Sequence, residues 1–190
     1  MEATARTAIR RHPERSVPED FPAIMEAGSA VHVAFTIGDQ PHVIPVGYHF
    51  DAAEPGVVYL HGSRESRLLQ HLATGAPVSL CVTMIDGLVY SKQALTHSMN
   101  YRSAICFGTP SEILDLGVKR RLFEAMTLRY FPGRTSGVHY EPATAAQLDA
   151  TLVVAIAIDE KSAKTRTGGP KGPTDSDPNA FGTCGVAAPR

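Results

Sequence analysis

A short run of hydroxyl and guanidinium side chains stands where a predicted strand gives way to a predicted helix. Residues 61–67 read His-Gly-Ser-Arg-Glu-Ser-Arg, and leucines at helical spacing follow them. A helix N-terminus presents unpaired backbone N–H groups and the positive end of the helix dipole, which together favour an anion. Arginine adds a fork of donors that fits phosphate oxygens. The segment predicts a phosphate site, and spacing alone leaves open a capped helix with solvated arginines.

A second polar segment precedes a long apolar strand. Residues 96–103 read Thr-His-Ser-Met-Asn-Tyr-Arg-Ser. Amide, phenol and guanidinium groups crowded together suit the recognition of a planar polar ligand. Serine and asparagine also satisfy their own backbone in loops, so this segment alone does not decide between a binding site and a loop.

The histidines and cysteines are candidate metal ligands and nucleophiles. No histidine pair has H-E-x-x-H spacing, and no Cys/His set has zinc-ligand spacing, so no metal site is predicted. The G-x-S-x-G motif of serine hydrolases is absent. Cys81, Cys106 and Cys184 are far apart and odd in number, which indicates reduced thiols in a cytoplasmic protein.

Three basic residues close the last predicted strand. Lys161, Lys164 and Arg166 follow the apolar residues 152–158. They are able to contact an anionic cofactor, but a solvated strand end is the more common arrangement and the interpretation that we favour.

The elements that must position these segments alternate mostly with a period of two. The predicted strands span residues 31–37, 42–50, 57–61, 78–84, 88–94, 101–113 and 152–158. A capping box from Ser16 to Glu19 predicts the start of a first helix that Gly28 ends. A second helix follows Gly62 and Ser63, and a third spans residues 114–131.

Short turns between these strands predict antiparallel pairing. Asp86 and Gly87 predict a hairpin turn, and Pro45 places the second strand at an edge or a bulge. Six or seven such strands with few helices predict a mainly β fold, a small barrel with helices. We divide the chain into an arm (1–15), a barrel domain (16–166) and a Gly/Pro-rich tail (167–190) that packs on the domain or on a partner subunit.

Length and composition exclude several classes of protein. The 190 residues fit one domain, and 43% hydrophobic with 19% charged residues exclude disorder for the bulk of the chain. A net charge of -1 gives no reason to expect nucleic acid or a membrane surface as partner. No apolar run approaches the roughly 20 residues of a membrane helix, and no secretory signal or dinucleotide-binding glycine motif is present.

Four segments together resemble the FMN-binding split-barrel superfamily. They are residues 41–46 (PHVIPV), 59–63 (YLHGS), 97–103 (HSMNYRS) and 162–166 (SAKTR). The sequence is most similar to the branch that is related to pyridoxamine 5'-phosphate oxidase and includes the nitroimidazole-resistance proteins. The resemblance covers about residues 8–166 and implies a homodimer of six-stranded antiparallel split barrels, with FMN in a groove at the subunit interface.

The resemblance also implies a role for individual residues. The strand formed by His42, Val43, Ile44, Pro45 and Val46 would lie along the isoalloxazine ring. The phosphate and ribityl chain would be held by His61, Gly62, Ser63, Ser66 and Arg67. Asn100, Arg102 and Ser103 would approach the flavin from a neighbouring strand, within the subunit or across the dimer. His61 is the catalytic candidate, either as a proton donor or only as a group that orients the phosphate.

Two features depart from this branch. The chain contains no tryptophan, and residues 183–186 (TCGV) stand where a tryptophan-glycine segment is common. Arg67 is followed by Leu68 rather than by a second basic residue, which argues against pyridoxamine-phosphate oxidation. The resemblance implies instead an FMN-dependent oxidoreductase that passes electrons from NAD(P)H to a small organic acceptor, a nitro compound or a quinone.

Other functions stay open at this point. The protein could be a non-catalytic flavin-nucleotide store or sensor, and relatives on this barrel also bind haem or a deazaflavin. A haem would require a histidine open to the groove, and His61 and His97 are the candidates. A barrel without any cofactor is less consistent with the two polar motifs, because burial without a ligand would leave their hydrogen-bonding groups unpaired.

Overall fold

The computed structural model describes residues 4–189, which contain seven strands and four α-helices joined by loops and short 3-10 turns. The strands are β1 (Val31–Ile37), β2 (Gln40–Val46), β3 (Val57–Ser63), β4 (Val78–Tyr90), β5 (Ser98–Glu112), β6 (Thr151–Arg166) and β7 (Gly185–Ala187). The helices are α1 (Phe21–Ala27), α2 (Arg67–Ala73), α3 (Leu116–Tyr130) and α4 (Ala145–Ala150). Residues 1–3 of the predicted arm and residue 190 of the predicted tail lie outside this part.

The strands form one antiparallel sheet that curls on itself. Its order is β2-β1-β4-β5-β6-β3, and β7 pairs with β4 off this path. The two ends of the path meet where His49 and Tyr59 exchange backbone hydrogen bonds of 2.9 Å in an isolated antiparallel bridge. The prediction of a mainly β, six-stranded antiparallel split barrel is confirmed, and Pro45 lies on the edge strand β2.

The core consists of the inward residues of the strands and one face of each of the first two helices. On β1, Val31, Val33 and Phe35 are buried, as the alternating pattern predicts. The same core takes Phe21, Ile24 and Met25 of α1 and Leu68, Leu69 and Leu72 of α2. Burying apolar area of this kind is the main stabilising contribution to the fold.

Helix α3 is fixed on the barrel by two cations, one of them buried. Lys119 is 1% exposed, and its ammonium donates to the carbonyl oxygens of Leu148 at 3.0 Å and Thr151 at 2.8 Å. At the other end of α3, Arg129 lies over the ring of Tyr48 and donates to two carbonyls at the end of α1. Burial raises the pKa of Tyr48 to about 12. These contacts tie α3 to α4, to the start of β6 and to the end of α1.

Strand β4 corrects the predicted hairpin at Asp86 and Gly87. The strand continues through both residues, and its pairing with β5 shifts register between Ile85 and Gly87. The turn lies instead in residues 91–97. A β-bulge therefore absorbs the Asp-Gly pair, and Asp86 uses its carboxylate to bind Arg102 on β5 rather than to stabilise a turn.

The predicted capping box at Ser16 is also wrong. Ser16 pairs with Lys164 on β6, residues 18–20 form a 3-10 turn, and α1 begins at Phe21 without a side-chain cap. A proline-rich start favours the 3-10 turn over a capped α-helix. The capping box of this chain opens α4, where Thr144 and Gln147 each bond the other's backbone N–H.

The second helix begins later than predicted. β3 continues through Ser63, and α2 begins at Arg67 with Ser66 as its N-cap. The predicted helix start at Gly62 and Ser63 is therefore wrong by one turn, because pairing with β6 holds Gly62 and Ser63 in the strand.

The far ends of three strands project from the barrel, and we call them the ribbon: residues 84–90 of β4, 98–103 of β5 and 163–166 of β6. β1 pairs with β4 only at residues 79–81. Further along the same strand, β7 pairs with residues 88–90. The tail thus lies on the ribbon of its own protomer.

The carboxylate of Asp175 fastens the tail to the ribbon. It accepts hydrogen bonds from the backbone N–H of Lys92 at 2.8 Å, from the Ser91 hydroxyl at 2.9 Å and from the N–H of Gly172. Burial opposes ionisation of this carboxyl, but the hydrogen bonds outweigh it, so the pKa of Asp175 is lowered.

We expect Asp175→Asn to loosen the tail. A carboxamide has one acceptor oxygen instead of two, so residues 172–187 should exchange amide hydrogens faster at pH 7. In the wild type the same loosening should appear as the pH falls through the lowered pKa of the folded state, because the carboxylate is the form that holds the tail. Hydrogen exchange with mass spectrometry measures both effects. Asp177→Asn is the matched control, and equal exchange in the two variants would contradict the assignment.

Candidate functional site

A cleft of about 430 Å³ lies where β2 faces α2. Its walls include Pro41, His42 and Val43 of β2 and His71 of α2. Between these walls, the ring of Phe35 stacks on His42 with centroids 5.1 Å apart and tilts against His71 at 4.8 Å. His71 stands one helical turn after Arg67, so the two share a face of α2. Of the predicted cofactor residues, His42 and Val43 line this cleft, whereas none of residues 61–67 does.

The barrel is open next to this cleft. Continuing the antiparallel register from the bridge of His49 with Tyr59 would set Gly47 level with His61 and Pro45 level with Ser63. Within residues 4–189, no pairing between β2 and β3 follows that bridge. The predicted cofactor residues 42–46 and 61–63 consequently flank the opening from its two sides.

The side chains of the phosphate segment divide into structural and free groups. Arg64 donates to the Glu112 carboxylate at 3.0 Å and to a backbone carbonyl at 3.1 Å. Ser63 accepts from the Glu65 N–H, and Ser66 caps α2. Arg67 is exposed and has no hydrogen bond or ion pair within the described residues. Arg67 is thus the guanidinium of this segment that is available to an anion.

His61 lies on the outer face of β3 with one edge of its ring open to solvent. The ring meets Phe123 of α3 edge to face, with centroids 4.8 Å apart. Burial of its other side disfavours the charged form and lowers the pKa of His61. Neither ring nitrogen has a hydrogen-bond partner in the described residues 4–189. A neutral imidazole in this position is able to exchange a proton or to bind a metal centre.

The second predicted motif lies on the ribbon, where its polar groups pair with one another. Arg102 donates to both oxygens of Asp86 at 2.9 and 2.7 Å, and these hydrogen bonds lower the pKa of Asp86. The amide oxygen of Asn100 accepts from Arg166, and the Ser103 hydroxyl donates to a backbone carbonyl at 3.4 Å. The polar groups of this motif are therefore paired within the protein.

The two motifs are far apart in one protomer. Ser63 pairs with Thr151 at the start of β6, whereas Ser103 pairs with Lys164, thirteen residues further along the same strand. At about 3.3 Å per residue this corresponds to roughly 40 Å of strand. Along β6, the β3 residues of the first motif and the β5 residues Asn100, Arg102 and Ser103 therefore lie at opposite ends.

Other kinds of chemistry find less support in the described residues. Across residues 4–189, no three His, Cys, Asp or Glu side chains gather in a way that would hold a metal ion. Burial raises the pKa of the Cys106 thiol to about 12, which makes it an inert core residue. None of the helices described is both long and apolar enough to cross a membrane.

Comparison with known proteins supports a flavin-binding split barrel. A sequence model of the pyridoxamine 5'-phosphate oxidase family matches residues 18–165, which include both motifs. The chain belongs to the pyridoxamine 5'-phosphate oxidase family. A search of curated protein sequences found no match.

Two of the similar solved structures are of proteins named for a flavin and a haem. The chain is 32% identical to the FAD and haem binding protein from Mycobacterium smegmatis, over 92% of this chain and 83% of that one, with a TM-score of 0.81. It is 30% identical to the flavocytochrome Anf3 from Azotobacter vinelandii, over 100% and 87%, with a TM-score of 0.86. A protein assigned to 5-nitroimidazole antibiotic resistance in Bacteroides thetaiotaomicron shares the fold at 22% identity, over 79% and 86%, with a TM-score of 0.64.

Sequence reasoning missed two features of this family member's site. One is His71, for which the spacing of four residues from Arg67 on a helix is the available signal. A cavity of about 460 Å³ between α3 and α4 was missed as well, with Phe123 in its wall next to His61. Residues 134–149 carry no strong periodicity, so the sequence offered no signal for that cavity.

Proposed function

We propose that the protein is a homodimeric flavin-dependent oxidoreductase with its flavin in a groove between subunits. The observation that carries this proposal is the separation of the two motifs along β6. One flavin can contact both motifs only if the ribbon of one protomer reaches the opening between β2 and β3 of the other. A two-fold symmetric dimer forms two such grooves at once.

The outer face of the sheet supports such a dimer. Val43, Ile85 and Ile105 expose large apolar side chains there, and Cys81 lies directly across from Ile105 in the sheet. Large apolar side chains exposed on one face of a sheet are candidates for burial in a protein interface. Because this face lies between the opening and the ribbon, its burial against a second copy would bring the two motifs together.

Within the groove, each segment has a separate task. The backbone of residues 42–46 would support the ring, while Ser63, Ser66 and Arg67 would hold the phosphate of the FMN moiety that FMN and FAD share. His61, neutral at pH 7, would hold or move a proton at a ring nitrogen. The bound flavin supplies electron transfer from NAD(P)H to a small organic acceptor such as a nitro compound or quinone. Three unpaired cysteines suit a reducing compartment, which we take to be the cytoplasm.

An absorbance spectrum of the purified protein, before and after addition of FMN and desalting, tests this function. We expect a retained flavin spectrum that NADPH bleaches and that a nitro compound or quinone restores. A bound flavin that stays oxidised in the presence of NADPH would indicate a flavin store or sensor rather than a reductase. Protein that retains neither FMN nor FAD would overturn the proposal.

Arg67→Ala should weaken flavin binding. Loss of a charge-assisted hydrogen bond to phosphate corresponds to about 1.5–3 kcal/mol, or roughly a 10- to 150-fold higher Kd. Flavin fluorescence titration measures the change, and Arg121→Ala on the exposed face of α3 is the matched control. An unchanged Kd for Arg67→Ala would place the phosphate elsewhere.

Haem is a second candidate cofactor, and one observation favours it beyond the names of the relatives. The Nδ1 atom of His97 lies 3.1 Å from the Gln93 carbonyl oxygen and 3.2 Å from that of Ala94. A histidine whose Nδ1–H donates to a carbonyl leaves Nε2 free for a metal, as is usual for metal-bound histidines. His61 also has free ring nitrogens and a cavity nearby.

If haem binds, we expect a sharp violet absorption band after reconstitution. At least one of the two single variants, His61→Ala or His97→Ala, should lose this band while its flavin spectrum remains. Retention of the full band in both single variants would exclude these two histidines as ligands. Replacement of His12, which is exposed on the arm, serves as the control.

A further inference from the structure

A small polar cleft of about 210 Å³ lies at the end of the ribbon, away from the cleft between β2 and α2. It is formed where the arm, the last residues of β6 and the tail meet. Its lining residues are Glu14, Arg15, Thr165, Arg166, Thr167 and Lys171. None of these side chains is a hydrophobic core residue, so the cleft suits a charged ligand.

Positive charge exceeds negative charge in this ribbon cleft. The Arg166 guanidinium is 7% exposed and donates only to neutral acceptors, the Asn100 amide oxygen and the carbonyls of Gly168 and Gly169. In the described part of the chain, Lys171 has no ion pair, and Arg15 lies 3.8 Å from Glu14. Three cations against one carboxylate leave a charge of about +2, which matches a phosphate group.

The hydroxyl of Thr165 lacks a partner. Its Oγ1 atom is buried, and no hydrogen bond to it is found within residues 4–189. Buried polar atoms in folded proteins are nearly always paired, so an unpaired one requires an explanation. Thr165 belongs to the wall of the ribbon cleft, so a ligand bound there would lie next to this unpaired hydroxyl.

We propose that the ribbon cleft binds a phosphoryl group of a dinucleotide. The cleft holds one or two phosphate groups and is too small for a whole nucleotide, so the remainder of the ligand would lie outside it. Asn100 binds Arg166, and Arg102 pairs with Thr165 across the sheet, which connects the cleft to the flavin motif. This inference rests on the proposed function, in which the ribbon reaches the partner's flavin groove.

The same phosphate chemistry has two sources. One is the adenosine-side phosphate of FAD, which FMN lacks. The other is the phosphate of a nicotinamide dinucleotide that donates electrons. In either case the cleft discriminates dinucleotides from FMN, whose single phosphate is assigned to Ser63, Ser66 and Arg67.

The double variant Arg15→Gln/Lys171→Gln tests the proposal and spares Arg166, which is buried among carbonyls. We expect the Kd of FAD to rise about ten-fold or more while that of FMN changes less than about two-fold. An unchanged Kd of FAD with a similarly raised KM for NADPH would identify the donor as the source. No change in either quantity, or equal weakening of FMN and FAD, would overturn the proposal. Arg10→Gln, on the same arm but outside the cleft, is the control.

Inorganic pyrophosphate provides a readout that does not depend on flavin. Calorimetric titration should show binding to the wild type and clearly weaker binding to the double variant. If the protein retains no flavin but shows this difference, the proposed function fails and the ribbon cleft stands. If pyrophosphate binds both proteins equally, or binds neither, the cleft is not a phosphate site.

Thr165→Val removes the unpaired hydroxyl with little change in side-chain volume and so tests its contribution alone. The ligand-free variant should melt no lower than the wild type, because it loses a buried group that has no partner. Its affinity for pyrophosphate should fall by about three-fold or more. A lower melting temperature with unchanged affinity would show that the hydroxyl has a partner within the protein, against the proposal.

Discussion

Ile105→Asp is expected to convert the dimer into monomers and to remove the flavin in the same step. Ile105 lies on the outer face of β5 with 37% of its surface exposed, in the middle of the face that we assign to the dimer. A symmetric interface would carry two added carboxylates, and like charges at an interface cost several kcal/mol. We therefore expect dimerisation to weaken by about a hundred-fold or more.

Light scattering coupled to size exclusion gives the mass, and the ratio of flavin to protein absorbance gives the occupancy. Leu114→Asp is the control, because Leu114 is 73% exposed and lies outside the dimer face. Folded monomers that keep their flavin would place the whole site within one protomer. Dimers that keep their flavin would place the interface on another face.

Gly108→Ala should lower the free energy of unfolding more than the other substitutions proposed for this protein. Gly108 stands at the register shift between β5 and β6. A methyl group there would collide with the carbonyl oxygen of Ala157 and lie 2.8 Å from Cγ2 of Ile156. Since the carbonyl belongs to the neighbouring strand, relief requires movement of β6 itself. We expect the free energy of unfolding to fall by about 3 kcal/mol.

Urea unfolding followed by circular dichroism measures this loss. Gly56→Ala is the matched control, because a methyl group at Gly56 meets no atom within 4 Å. The control should stay within about 0.5 kcal/mol of the wild type. Similar losses in the two variants would mean that the close approach at Gly108 is relieved by small shifts.

Sequence periodicity predicted most of the barrel because its strands are half buried. Val31, Val33 and Phe35 face the core and alternate with more exposed residues, which is a local signal. The length of β6 was underestimated, since Asp159, Glu160 and Lys161 interrupt the apolar pattern. Glu160 and Lys161 nevertheless pair with β5, and the register shifts at Asp159, which no local pattern records.

The sequence predicted the two polar motifs of the site, but not how the fold arranges them. Each motif is a short segment whose residue types suggest its chemistry, so both were found in the sequence. The distance between them depends on how β3 and β5 pair with the two ends of β6, which is a property of the whole sheet. The ribbon cleft likewise combines Arg15, Thr165 and Lys171 from three separate parts of the chain.

The pairing of β7 with β4 also bears on solubility. Beyond residues 79–81, β1 no longer covers that edge of β4, and β7 covers residues 88–90. Without the tail, this edge would present free N–H and C=O groups beside the exposed side chains of Leu88 and Tyr90. Open apolar edges of this kind recruit strands from other molecules and start aggregates. The Gly/Pro-rich tail therefore protects this edge of the ribbon from pairing with strands of other molecules.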